Sequence, residues 1–190
     1  MLSELYEKAL QFAVKSHAGQ TRKGTGAPFV SHPLAVSSIV MEFGGSEVQT
    51  IAALLHDTIE DCGVSEEEIR TQFGNSVAQI VSECTEPTKA AEPLWKKRKL
   101  QYVSQIESAT LPTLLVAASD KFHNMVSTLR DLRFMGASAW NKFHRNTDEL
   151  LWYYSTLITI FHNRKSENDQ RFAALVSELD IVFSELQKLK

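Results

Sequence analysis

Residues 54–61 read LLHDTIED, one histidine and three acids set directly against the apolar run IAALL. Burying charge is costly unless the charge is paired, hydrogen-bonded or bound to a metal. Two other stretches pose the same question: His32 opens SHPLAV, and Asp120 closes the apolar LLVAASD. His32, His56, Asp57 and Asp120 are therefore candidate metal ligands. Two imidazoles with two carboxylates suit Mn²⁺, Fe²⁺ or Zn²⁺ better than Ca²⁺, and the absence of thiolate argues against a structural zinc. Each histidine taken alone reads more readily as a satisfied core group than as a ligand. Two apolar helices that both run into buried acids need a common reason, and an ion supplies one. His56 and Asp57 are neighbours, about 100° apart on a helix. Both reach one ion only if it sits beside a helix end.

Glu60 follows His56 by four residues, one turn further along the same face. A carboxylate there can orient a water at the metal or accept its proton. Asp61 is the second candidate for this work; a solvated helix end beside Gly63 is the competing reading.

The elements that must position these groups are helical. Val- and Ile-rich runs show helical rather than alternating spacing, so no strand is expected. Ser3 can cap a first helix, and a loop from Gly19 to Ser31 follows, rich in glycine and carrying Arg22 and Lys23. Ser31 can cap a second helix, with Pro33 in its first turn. A third runs through SEVQTIAALLHDTIED to Gly63. Ser65 with Glu68 forms a capping box for a fourth. Helices are then expected over 75–84, from Leu94, from Pro112 to Gly136, over 138–163 and over 168–188. The class is all-α, about eight helices in a single domain over 1–190.

Composition narrows the function. The chain has 190 residues, 43% of them apolar and 23% charged, an ordinary globular make-up. A net charge of −3 gives no basic field for nucleic acid. No stretch approaches the roughly 20 apolar residues that cross a bilayer. Cys62 and Cys84 form no disulfide framework. A cytoplasmic protein is expected, with no nucleic-acid and no membrane partner.

Taken together, AVKSHAGQTRKGTGAPFVSHPLAV, ALLHDTIED and ASDKFHNM resemble the HD-domain metal-dependent phosphohydrolases. More closely they resemble the hydrolase domain of the RelA/SpoT alarmone enzymes and the stand-alone small alarmone hydrolases. The resemblance covers roughly residues 5–130. It implies an all-α fold, one Mn²⁺ on His32, His56, Asp57 and Asp120, and hydrolysis of the 3′-diphosphate of (p)ppGpp to GDP or GTP and pyrophosphate. Glu60 and Asp61 match the family's ED pair and become the catalytic candidates. Arg22 and Lys23 match its RK pair, which lies along the nucleotide base, and an arginine plane can stack on a purine. Asn124 matches the residue that touches sugar or phosphate.

Phosphates need cations. The run Lys96, Lys97, Arg98, Lys99 is the densest, and Lys142 and Arg145 sit further on. Tyr153 and Tyr154 could also donate, while Trp152 and one of these tyrosines read as core. Lys121 reads as a simple ion-pair partner, His17 as packing, and His123, His144 and His162 as incidental. His123 and Phe29 depart from the residues usual in the family, which bears on the nucleotide chosen.

The substrate expected is a small nucleotide. Alternatives are an adenosine alarmone, NADPH or a nucleoside monophosphate, and, from another class, a nucleotide-sensing module without catalysis. The chain stops after its last helix, so no synthetase domain is expected. The long C-terminal helices could form a homodimer or complete the monomer's own core.

Overall fold

The computed structural model describes residues 2–87, 94–143, 146–164 and 170–190, with Lys142 described by its backbone alone. Helices account for the regular structure, as the spacing predicts, and the one strand-like feature among the described residues is an isolated antiparallel bridge, Thr21 to Pro28. The order is α1 Glu4–Ser16, α2 Ser31–Glu42, α3 Glu47–Leu55, α4 Thr58–Cys62, α5 Glu66–Phe73, α6 Asn75–Cys84, α7 Trp95–Ser108 and α8 Leu111–Met135. A 3-10 helix over Gly136–Phe143, α9 Thr147–Arg164 and α10 Gln170–Lys188 complete it. No helix among the described residues is long and apolar enough to cross a membrane.

The centre is α3. A capping box of Ser46 and Gln49 starts it, and every residue from Ile51 to Leu55 is fully buried. Helices α1, α2, α6 and α8 pack around it. The long α8 then spans the molecule, touching α2, α3 and α6 on one side and α9 and α10 on the other. This gives one contiguous buried cluster from Ala9 to Leu186. Truncating a leucine at its centre, such as Leu54, costs ~2–5 kcal/mol.

The third helix is not continuous. It ends at Leu55, the chain turns through His56 and Asp57, and the short α4 follows. This break accounts for a helix beyond the expected number. The groups freed by it find partners locally: the Thr58 hydroxyl donates to Leu55 O at 2.7 Å, and His56 Nδ1 bonds Ala53 O at 2.8 Å. Gly63, at φ +70, ends α4 in the left-handed conformation that glycine adopts without strain.

Two other boundaries differ from the spacing. Ser31 is the first residue of α2 rather than its cap, because the chain already coils there through Ser31 N to Pro28 O and His32 N to Phe29 O. The helix expected over 138–163 is interrupted. Trp140 is buried and donates Nε1 to Leu189 O at 3.2 Å, tying the 3-10 segment to the end of α10. Asn146 Oδ1 then accepts from Asp148 N at 2.9 Å and starts α9 afresh.

The break at 56–57 yields a test. Thr58→Val keeps the shape but leaves the buried Leu55 carbonyl one donor short. Chemical denaturation is expected to show a loss of about 1–3 kcal/mol.

Candidate metal centre and active site

The broken helix answers how two adjacent residues reach one point. His56 and Asp57 sit in the turn between α3 and α4, at the helix end where both can reach one point. His32 arrives from the first turn of α2 and Asp120 from the middle of α8. Ligand atoms of His32, His56 and Asp57 lie within 4.8 Å of one another. Asp120 Oδ1 stands 3.1 Å from His32 Nε2 and 3.8 Å from His56 Nε2. Asp57 offers Oδ2 at 3.4 Å from His32 Nε2 and Oδ1 at 3.2 Å from His56 Nε2.

The donor set fits a divalent ion, and His56 gives the clearest sign. Its Nδ1 is committed to Ala53 O. Its Nε2 is buried and makes no hydrogen bond among the described residues, although Asp57 Oδ1 is only 3.2 Å away. Proximity without aligned donor and acceptor is what a nitrogen aimed at a shared ion would show. Metal-ligating histidines also usually bond a carbonyl or carboxylate through the other nitrogen. The Asp120 carboxylate is fixed at both oxygens. Lys121 Nζ donates to Asp120 Oδ2 at 2.6 Å and Asn124 Nδ2 to Oδ1 at 2.5 Å.

The electrostatics follow from burial against pairing. Burial works to lower both imidazoles. At His32 it prevails, so that ring stays neutral at ordinary pH. At His56 the Asp57 carboxylate outweighs it and raises the group to about 9. Burial works to raise Asp120, but Lys121 and then His32 and His56 hold it well below the usual carboxylate range. Asp57 is lowered likewise, mainly by His56.

Beside the cluster lies a cavity of ≈ 930 Å³. Glu60 and Asp61 line it. Glu60 is exposed at this cavity. Burial, then the Glu86 charge, raises its carboxyl to about 7. Burial, then Asp57, raises Asp61 as well. Arg22, Lys23, Arg98, Lys99, Tyr153 and Tyr154 line it as well. Arg22 lies over the Phe29 ring, 5.7 Å from its centroid, and donates Nη2 to Asn124 Oδ1 at 3.0 Å. The bridge between Thr21 and Pro28 closes the loop that presents it.

The structure thus gathers His32, His56, Asp57 and Asp120 at one point and Glu60, Asp61, Arg22, Lys23 and Asn124 around one cavity. Arg145 lies outside the described residues, as does the Lys142 side chain. Of the run 96–99, Arg98 and Lys99 face the cavity, while Lys96 stacks 5.3 Å over Trp152. Trp152 is only half-buried, so the core aromatics here are both tyrosines, which also line the cavity. Glu86 was not singled out in the sequence; it pairs with Lys99 and accepts from Tyr153 Oη at 3.3 Å. His123 is not incidental: its Nδ1 lies 2.7 Å from His32 Nδ1. Its position three residues after Asp120, hence on the same helix face, was the available signal.

A helical bundle that brings two histidines and two aspartates together at a helix break defines the class. The HD-domain family model matches residues 9–157, and the chain belongs to the HD-domain family. Within that family it stands with the RelA/SpoT-type small hydrolases. Over 148 residues it is 34% identical to the mouse protein named guanosine-3′,5′-bis(diphosphate) 3′-pyrophosphohydrolase MESH1, covering 76% of this chain and 78% of that one. Over 145 residues it is 34% identical to a GTP pyrophosphokinase of Streptomyces coelicolor, covering 76% of this chain but only 16% of that much longer protein. A solved structure described as a metazoan ortholog of SpoT that hydrolyses ppGpp aligns with a TM-score of 0.75 at 26% identity, over 98% of this chain and 97% of that one.

The raised Glu60 carboxyl can be checked directly. In metal-free protein, ¹³C NMR of the side-chain carboxyls is expected to show Glu60 titrating near 7. Glu86→Gln removes a neighbouring negative charge and is expected to move that midpoint down.

Proposed function

We propose that the protein hydrolyses the 3′-diphosphate of (p)ppGpp, releasing pyrophosphate and leaving GDP or GTP. In this reading His32, His56, Asp57 and Asp120 hold one Mn²⁺. The observation that carries it is the meeting of two chemistries at one place: a buried cluster of two imidazoles and two carboxylates lies beside a cavity lined by Glu60 and Asp61 together with cations and aromatics. Sequence and structural similarity to proteins named for this reaction supports it.

A divalent ion bound there supplies Lewis-acid stabilisation of charge developing on phosphoryl oxygens. The chain's own residues do the rest. A water attacks the phosphorus joined to the ribose 3′-oxygen, and its proton passes to Glu60. A carboxyl raised to about 7 is well matched to that task near neutral pH. The bond from phosphorus to the 3′-oxygen breaks, and that oxygen takes up the proton that Glu60 received, with Asp61 as the second carboxylate beside it. Lys99, Arg98 and Tyr153 face the phosphates, and Lys142 and Arg145 are further candidates for them. Arg22, its plane set by Phe29, stacks on the purine; Lys23 and Asn124 flank it. A stacking arginine reads a purine plane rather than its edge, so adenosine nucleotides are the competing substrates.

Incubation with Mn²⁺ and ppGpp, pppGpp, pppApp, NADPH or GMP, followed by chromatography, tests the reading. GDP and pyrophosphate from ppGpp are expected; turnover of another nucleotide alone would overturn it. Partners of metal ligands already cost ~10–100-fold when lost, so Asp120→Ala is expected to lower both Mn²⁺ affinity and kcat by more than that. With Glu60 as the base, kcat is expected to rise with pH along an acidic limb and then level off, the bound cation drawing that limb below the midpoint of the metal-free carboxyl. Glu60→Gln is expected to remove that limb and slow turnover by ~10²–10⁴-fold.

A further inference from the structure

We infer that His123 is a positioning residue of the metal centre: its Nδ1 accepts the Nδ1 proton of His32 and so fixes the tautomer and plane in which His32 offers Nε2 to an ion. The inference rests on the metal-site reading above and extends it to a residue outside the ligand set.

The two Nδ1 atoms are 2.7 Å apart, and the rings lie 4.9 Å between centroids at 33°. Two ring nitrogens at that distance bond only if one carries a proton and the other does not. The direction is therefore a choice between two states. In one, His123 donates; His32 then carries its proton on Nε2 and points it at Asp120 Oδ1, 3.1 Å away. That state satisfies an ion-free cluster and blocks ion binding. In the other, His32 donates from Nδ1 and its Nε2 lone pair faces Asp57 and Asp120. Only this second state can hold an ion.

The two states contain the same number of protons. In the change, His32 moves its proton from Nε2 to Nδ1. His123 gives up its Nδ1 proton and carries one on Nε2 instead. Ion uptake thus selects a tautomer pair, and His123 must be able to accept for the selection to succeed. His56 has the corresponding partner built in, since Ala53 O can only accept. A backbone carbonyl fixes one tautomer; a second imidazole allows two. The His32 side of the site is the adjustable one.

The neighbourhood keeps His123 in this role. Asp120, His123 and Asn124 share one face of α8, so one rigid helix carries a ligand, a positioning group and a substrate-side amide. Phe29 meets the His32 ring at 5.9 Å in a T-shaped contact, and His123 meets its Nδ1 edge through the hydrogen bond. Between them, the His32 ring has little freedom to rotate.

The test uses the whole chain with Zn²⁺ as a diamagnetic probe. Long-range ¹H–¹⁵N NMR of the histidine rings is expected to show His32 protonated on Nε2 without ion. With Zn²⁺ it is expected on Nδ1, with His123 unprotonated at Nδ1. His32 remaining Nε2-protonated with Zn²⁺ bound, or His123 protonated on Nδ1 in that state, would overturn the inference. This measurement needs no variant. As a second arm, His123→Phe keeps a ring but loses the acceptor, and is expected to weaken Zn²⁺ and Mn²⁺ binding by ~10–100-fold. His123→Asn places a side-chain oxygen near the lost nitrogen and is expected to restore most of it. A Phe variant that binds as the parent does sinks this inference alone. A parent protein that takes up no ion sinks the metal-site reading and this inference with it.

Discussion

The constraint on which the structure turns is the burial of opposite charges at one point of an apolar core. His32 and His56 are 2% and 3% exposed, and Asp120 is 7% exposed. Removing such groups from water costs several kcal/mol per ion unless each keeps a partner. Among the described residues the partners are one another, Lys121 and Asn124 behind Asp120, the Ala53 carbonyl and His123. Only His56 Nε2 is left over. An ion is the one species that would use both imidazoles and both carboxylates together.

That constraint explains the local oddities of the chain. A continuous helix would point His56 and Asp57 apart, so α3 stops where its apolar run stops, and Thr58 and His56 satisfy the carbonyls released. Restarting as α4 then turns Glu60 and Asp61 to the adjoining cavity. The division of labour within eight residues follows from one break: the turn holds the cluster, and the turn after it faces the cavity. Helix α8 repeats the arrangement on a single unbroken face, with Asp120 toward the cluster and Asn124 toward Arg22.

Much of this was legible in the sequence because it is written in short-range pattern. Helical spacing, Ser3 and Ser65 as caps, and acids set against apolar runs all declare themselves locally. The helix break was not legible, since no glycine or proline marks it; tertiary convergence on a shared point outweighs a helix-favouring run. The 3-10 segment was missed for a similar reason, because its cause is Trp140 reaching Leu189, 49 residues away. His123 was passed over since its partner lies 91 residues back in α2. Glu86 sits in a stretch with two prolines and looks like surface; its burial against Lys99 and Tyr153 is a property of the fold alone.

The central claim is that one ion joins the four buried groups. Crystals grown with Mn²⁺ and measured for anomalous scattering test it most directly. The account expects a single strong peak within about 2.0–2.4 Å of His32 Nε2, His56 Nε2 and carboxylate oxygens of Asp57 and Asp120. A map without a peak at that point, or with Mn²⁺ bound elsewhere while those side chains keep their places, would contradict it.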